Sequence, residues 1–260
     1  LIKKNLNLDF YMPHYLCFGE FEKDDCIKHQ IYVGEFTFVG SLRLANFLND
    51  LKLNKVKIKK NKYDICLISD HGAWLNDFGK IKINDVTQAE VGVIKLIKYT
   101  IQFCIKKNLK LILVFKRKVG KPGYKEEQMW FKENFSEKEY NYILNNSQNN
   151  DGSSSYKCSF ESKVSIANMS TLLRENIACG NKILSCNLSN SGIYNFPLKG
   201  ICSLNNSNYE QFESRLSNIL KLSSNDYFSK IEKDKNYLIH TDNPEYCFKI
   251  IRKTINKYLL

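Results

Sequence analysis

From Tyr63 onward one pattern recurs: a short, unbroken apolar run, a polar turn, then a segment with helical spacing. The runs are Asp64 to Ser69, Leu109 to Phe115, Asn141 to Leu144 (the weakest), Lys163 to Ala167, Lys182 to Cys186 and Gly200 to Leu204. Strands with one solvated face alternate apolar and polar residues, so continuous runs of this kind suit strands buried on both faces, as in a parallel sheet covered by helices. Between them, Val91, Ile94, Ile97, Ile101, Cys104 and Ile105 follow a period near 3.6, which predicts an amphipathic helix over Thr87 to Lys107. Met169 to Cys179 is a shorter helical segment stopped by Gly180, and Phe212 to Leu222 and Tyr246 to Tyr258 supply two more. Alternation of strand and helix predicts an α/β fold with a doubly wound parallel sheet.

Residues 1–62 read differently. Phe36 to Val39 is a short strand, Ser41 to Leu51 a helix, and Lys52 to Lys62 a lysine-rich connector. We therefore expect a division at residue 62: the end of one domain and a linker, then a single domain over residues 63–260. Asn145 to Ser155 is a polar, low-complexity loop. The chain begins with Leu1 rather than Met, which we read as the loss of the natural start.

The 260 residues carry 39 Lys and Arg against 27 Asp and Glu, a formal net charge of +12. That excess favours anionic partners, yet the lysines are scattered rather than clustered with aromatics on one element. Compositional bias accounts for most of them, and nucleic acid is not the expected partner. The nine cysteines show no C-x-x-C spacing and sit in apolar runs, so buried free thiols are expected rather than a zinc site or disulfides. No apolar run reaches the roughly 20 residues that cross a bilayer, and no signal peptide is apparent, so the expected location is the cytoplasm.

In an open α/β sheet, ligands bind beyond the carboxyl ends of the strands, near the point where strand order reverses. This rule selects Ser69-Asp70-His71-Gly72, Lys116-Arg117-Lys118, Asn168-Met169-Ser170-Thr171, and Asn187 to Gly192. At the third, a strand runs into Ser170 and Thr171 in the first turn of a helix, with Glu175 one turn on. Free helix amides and adjacent hydroxyls make a phosphate cradle; the competing reading is that Asn168 or Ser170 simply caps the helix. Lys116 and Arg117 put cations on the same rim. His71 is placed to contact a phosphate or move a proton, but adjacent residues need not face each other, so no dyad with Asp70 is assigned. Signatures of dinucleotide-binding, P-loop, serine-hydrolase and metal sites are absent, and no metal or cofactor is expected.

The segments FGEFEKDDCIKH, FVGSLRLANFL, YDICLISDHGAW, LKLILVFKRK, KVSIANMSTLLRENIACGNKILSCN and YNFPLKGICSL, in that order, resemble the C-terminal half of bacterial surface-carbohydrate biosynthesis proteins. These are similar to GT-B glycosyltransferases and CDP-glycerol glycerophosphotransferases. The resemblance runs from about Tyr15 to the end. Its most specific part is Ser170, Thr171, Leu172, Leu173, Glu175, Ala178, Gly180, Asn181, Lys182 and Leu184.

The resemblance implies a Rossmann-like domain that binds a nucleotide-activated donor. Ser170, Thr171 and Glu175 would hold its phosphate and ribose, and Gly40, Ser41 and Arg43 would form the entry to the donor domain. Many relatives that use CMP or CDP carry a His-Pro pair where this chain has Lys116-Arg117. The activity implied is transfer of a sugar or polyol phosphate to a lipid- or glycan-linked acceptor, peripheral to the inner membrane. Two other readings stand beside it: a sugar-nucleotide epimerase of the same fold, and a non-catalytic scaffold of a polysaccharide assembly complex.

Overall fold

The structure, a computed structural model, describes residues 11–71, 84–148, 154–241 and 244–259. The chain divides into two compact units: residues 1–55 with 234–260, and residues 56–233. The boundary therefore falls inside the lysine-rich connector, seven residues before its expected end at residue 62, and the C-terminal helix groups with the N-terminal segment. Packing explains that grouping: Cys247 of the helix is buried against Val39 and Ala45, with Leu16, Ile250 and Ile251 around them.

The smaller unit contains β1 (Tyr11–Cys17), α1 (Glu20–Lys28), β2 (Tyr32–Phe38), α2 (Leu42–Lys52) and the C-terminal helix (Pro244–Leu259). β1 and β2 pair in parallel from Tyr11 opposite Tyr32 to Cys17 opposite Phe38. Parallel neighbours need a crossover, and α1 supplies it. β1 and α1 are additions to what the sequence pattern indicated, because β1 mixes Pro13 and His14 with apolar residues and α1 is almost entirely polar.

The larger unit carries a five-stranded parallel sheet flanked by helices. Its strands are β3 (Tyr63–Ile68), β4 (Leu111–Val114), β5 (Ser162–Ala167), β6 (Ile183–Asn187) and β7 (Ser203–Asn205), in spatial order β4-β3-β5-β6-β7. The helices, numbered on from α2, are α3 (Asn84–Lys107), α4 (Tyr124–Asn134), α5 (Glu137–Asn145), α6 (Ser155–Phe160), α7 (Thr171–Ala178), α8 (Tyr209–Lys221) and α9 (Ser224–Phe228). Five of the six expected strands are present. The exception, Asn141 to Leu144, is helical within α5. Ser136 and Glu139 form a capping box at its start, each satisfying the other's backbone amide, and that local signal outweighs a short apolar run.

The core lies on both faces of the sheet. Ile65, Cys66 and Leu67 of β3 and Val164, Ile166 and Ala167 of β5 are fully enclosed, with Phe103, Phe115, Phe131 and Phe212 packed over them from the helices and strand ends. In α3 the buried stripe is Ala89, Val93, Leu96, Ile97, Thr100 and Cys104, while Val91 and Ile105 are about half exposed (49% and 54%). The helix is as expected, with Ile97, Ile101 and Cys104 buried as the period indicates, but its buried face also takes in Leu96, Thr100 and Phe103 and leaves Val91 and Ile105 outside. All nine cysteines are free thiols, and eight are buried.

Tyr227 is a test of how the sheet is held from behind. Its hydroxyl, fully buried, donates to the Ile183 carbonyl at 2.7 Å and accepts from the Ile183 amide at 3.1 Å. Tyr227→Phe leaves both backbone groups of Ile183 without that partner, so urea unfolding should show a loss of about 1–3 kcal/mol. A loss below about 0.5 kcal/mol would mean the hydroxyl contributes no net stability.

Candidate functional site

The order β4-β3-β5 makes the gap between β3 and β5 the place where strand order reverses, and the loops leaving their carboxyl ends diverge there. Three of the segments picked out from the sequence meet on this edge: Ser69-Asp70-His71 after β3, Lys116-Arg117 after β4, and Asn168-Met169-Ser170 after β5. Gly72, Ala73 and Trp74 lie outside the described residues, as do residues 149–153 of the polar loop and the chain before residue 11.

Two carboxylates set the geometry. Asp70 Oδ2 accepts from the backbone amides of Asn168 at 2.7 Å and Met169 at 3.1 Å, tying the β3 loop to the β5 loop. Burial pushes its pKa up to about 6, against the pull of those two amides and of Lys116. Glu127, on α4 and 0% exposed, accepts from the Ser69 hydroxyl at 2.7 Å and from the amides of Lys116 at 3.0 Å and Arg117 at 2.9 Å. Desolvation raises its pKa, and the three donors oppose the rise. Sequence reasoning had no role for Glu127. An acidic residue in a charged helix carries no sign that it will face inward.

His71 is 6% exposed, and its amide donates to Ser69 Oγ at 3.3 Å. Its ring rests against Trp130, with centroids 5.0 Å apart, and the Trp130 indole N–H donates to Glu90 at 2.6 Å. Burial, with Lys116 and Arg117 nearby, lowers the imidazole pKa to about 4, so the ring is neutral at physiological pH. His71 Nδ1 is buried without a partner among the described residues.

Asn168, 4% exposed, likewise has its side-chain oxygen buried and unpaired, while its carbonyl accepts from the Ser185 hydroxyl. Ser170 occupies the N-cap position of α7 but makes no side-chain capping bond, and neither its hydroxyl nor that of Thr171, which is exposed, is committed by a bond in the structure. The capping reading of Asn168 and Ser170 is therefore not what the geometry shows. The amides of Thr171 and Leu172 open the helix without intrahelical acceptors.

The remaining residues are placed less freely. Glu175 is 4% exposed and accepts from the Tyr156 hydroxyl at 2.8 Å. Asn187 uses both ends of its amide to order the turn after β6: Nδ2 donates to the Ser191 carbonyl and to Asn195, and Oδ1 accepts from the amide and hydroxyl of Ser189. Lys116 is exposed and Arg117 half-buried, with Arg117 Nε unpaired. Gly123, in the left-handed region at φ +80°, lets that side chain lie across the turn, where a Cβ would come within 3.2 Å of Nε. Gly40, Ser41 and Arg43 belong to the smaller unit. Gly40 has φ +73° and a Cβ there would run into the His240 carbonyl, Ser41 caps α2 by accepting from the Leu44 amide at 3.3 Å, and Arg43 is exposed.

No protein-family model matches the chain, and no curated protein sequence does. Solved structures do. UDP-GlcNAc 2-epimerase from Methanocaldococcus jannaschii, determined with UDP-GlcNAc and UDP, aligns over 94% of this chain and 61% of its own with a TM-score of 0.54 at 9% identity. Sucrose-phosphate synthase from Thermosynechococcus elongatus aligns over 95% of this chain and 58% of its own, with a TM-score of 0.45 at 11% identity. The chain spans less than two thirds of the length of either protein.

The fold is Rossmann-like, of the GT-B kind. At such identity the likeness is one of fold, and the chemistry of this GT-B edge rests on its own side chains.

Asp70 and His71 give this edge an opposed pH signature. Asp70 keeps its proton to about pH 6 when folded but loses it at its ordinary 3.8 when unfolded, so its contribution is full below 3.8 and lost as pH rises through 6. His71 takes up a proton at its ordinary 6.5 when unfolded but only at about 4 when folded, so its contribution is full above 6.5 and lost as pH falls through 4. Between pH 4 and 6 the two slopes nearly cancel. Both amides bind one Asp70 oxygen, so Asp70→Asn preserves the bonds and should leave a stability that rises with pH by up to about 1.4 kcal/mol per unit. His71→Gln should leave one that falls. Urea midpoints measured across this window give the slopes, and parallel curves for the three proteins would refute the assignment.

Proposed function

We propose that the chain acts on a nucleotide-activated sugar or polyol phosphate, bound at the carboxyl edge of the five-stranded sheet, and transfers it to a lipid- or glycan-linked acceptor in surface polysaccharide synthesis. The observation that carries this reading is the pair of buried polar atoms left without partners at the switch point, His71 Nδ1 and Asn168 Oδ1. Buried polar groups are normally paired, and here these two lack partners among the described residues, Asn168 immediately before a helix whose first amides and hydroxyls are open. A nucleoside diphosphate supplies what they lack: phosphate oxygens for the amides of Thr171 and Leu172 and the hydroxyls of Ser170 and Thr171, and sugar hydroxyls as donors for Asn168.

Charge develops on the leaving phosphate during such a transfer. The open N-terminus of α7 and the side chains of Lys116 and Arg117 would stabilise it, held in place by Asp70 and Glu127. Neutral His71 fits a proton acceptor or donor better than a charge partner. In this arrangement Glu175 and Asn187 support the loops. The basic surface would suit an anionic inner membrane where such acceptors reside.

A second reading is favoured by one specific observation, the fold likeness to a sugar-nucleotide 2-epimerase. Both enzymes would hold the same nucleotide, and they differ in what His71 and its neighbours do to the sugar.

Calorimetric titration with UDP, CDP and GDP tests the site. The Ser170→Ala, Thr171→Ala double variant should keep its melting temperature, because Ser170 makes no capping bond, and should bind at least tenfold more weakly, the equivalent of about 1.4 kcal/mol. Equal binding by both proteins would sink the assignment. The two chemistries separate in a one-substrate experiment: NMR of UDP-GlcNAc incubated without acceptor should show an unchanged sugar for a transferase, whereas inversion at C2 would establish the epimerase.

A further inference from the structure

Residues 146–148 run beside β4 as an added outer edge. Ser147 forms a parallel bridge with Leu113, and the Leu113 amide donates to the Asn146 carbonyl at 2.7 Å. This brings Gln148, 2% exposed, to the carboxyl end of β4, where its Nε2 donates to the Phe115 carbonyl at 3.2 Å. That bond fixes the orientation of the carboxamide, since the reverse would set oxygen against oxygen. Gln148 Oε1 is left buried and without a partner among the described residues.

Among the described residues, the nearby backbone amides of Lys116 and Arg117 are taken, because both are bound to Glu127. Gln148 Oε1 is an acceptor, so a phosphate, itself an acceptor, cannot satisfy it, although the side chains of Lys116 and Arg117 supply donors at the same strand end. Three inter-strand spacings separate the end of β5 from the row of Gln148, about 14 Å. That is close to the reach of a nucleoside diphosphate from its terminal phosphate, at α7, to the far edge of its base.

We infer that Gln148 reads the nucleobase, accepting a hydrogen bond from the exocyclic amine of cytosine or adenine. The inference rests on the donor site proposed above. Uracil in the same position would turn its O4 carbonyl toward Oε1, leaving two acceptors face to face. Sites built to pair with a substrate N–H discriminate strongly against analogues that lack it.

The test compares CDP, ADP, UDP, the diphosphate of the pyrimidin-2-one riboside, in which hydrogen replaces the cytosine amine, and inorganic pyrophosphate. CDP or ADP should bind at least tenfold more tightly than UDP to the unaltered chain, and the deletion analogue at least tenfold more weakly than CDP. Gln148→Leu should abolish the preference while leaving pyrophosphate binding within twofold. The analogue comparison uses no variant, so a folding defect in Gln148→Leu cannot hide the result. Equal binding of CDP, UDP and the analogue, with pyrophosphate still bound, overturns the role of Gln148 alone. Binding of none of the five overturns the donor site and this inference with it.

Discussion

Glu127 is a carboxylate with no exposed surface, placed where a charge costs several kcal/mol to desolvate unless its lone pairs are matched. The matching donors are the Ser69 hydroxyl and the amides of Lys116 and Arg117, at 2.7–3.0 Å. Each belongs to a chain segment at the end of a strand, where Ser69 still donates its own amide to the Val114 carbonyl at 2.8 Å. The carboxylate therefore solves two problems at once: it satisfies amides that strand geometry leaves over, and it fixes the β3 and β4 loops to one another through α4. Asp70 does the same between β3 and β5 with a single oxygen. Remove either, and the relative placement of Lys116, His71 and Asn168 is no longer determined.

The same bonds restrict what the edge can bind. Four backbone amides on this rim, at Lys116, Arg117, Asn168 and Met169, face internal carboxylates and are closed to a phosphate. An anion is left with the first turn of α7 and the side chains around it.

Much of this was legible in the sequence, for physical reasons that differ by element. Strands buried on both faces must be apolar throughout, so β3, β5 and β6 could be read as runs, and with them the positions of Asp70, His71, Asn168 and Ser170 at strand ends. β1 and α1 lack such a signal. The chain grouping was hidden as well, because the C-terminal helix and Val39 are more than 200 residues apart and only packing joins them. Asn187 and Glu175 were correctly placed at the rim but are engaged internally, a distinction that spacing cannot make. Glu127 and Gln148 lay outside every motif, since their importance comes from what their oxygens meet rather than from where they fall in a pattern.

The distribution of unmet polar groups separates function from support. Several polar side chains elsewhere in the larger unit that are just as buried find partners: Thr100 donates to the Leu96 carbonyl, Asn176 to that of Leu172, and Ser159 pairs with Ser165. Gln128 Nε2, Glu161 Oε2 and Tyr209 Oη lack a hydrogen-bond partner among the described residues, although the Lys62 ammonium lies 3.7 Å from Glu161 Oε2. His71, Arg117, Gln148 and Asn168 each keep an unpaired atom, and all four stand on the carboxyl edge. Four of the seven unpaired buried atoms among the described residues thus gather along one rim, where a ligand can return the desolvation cost.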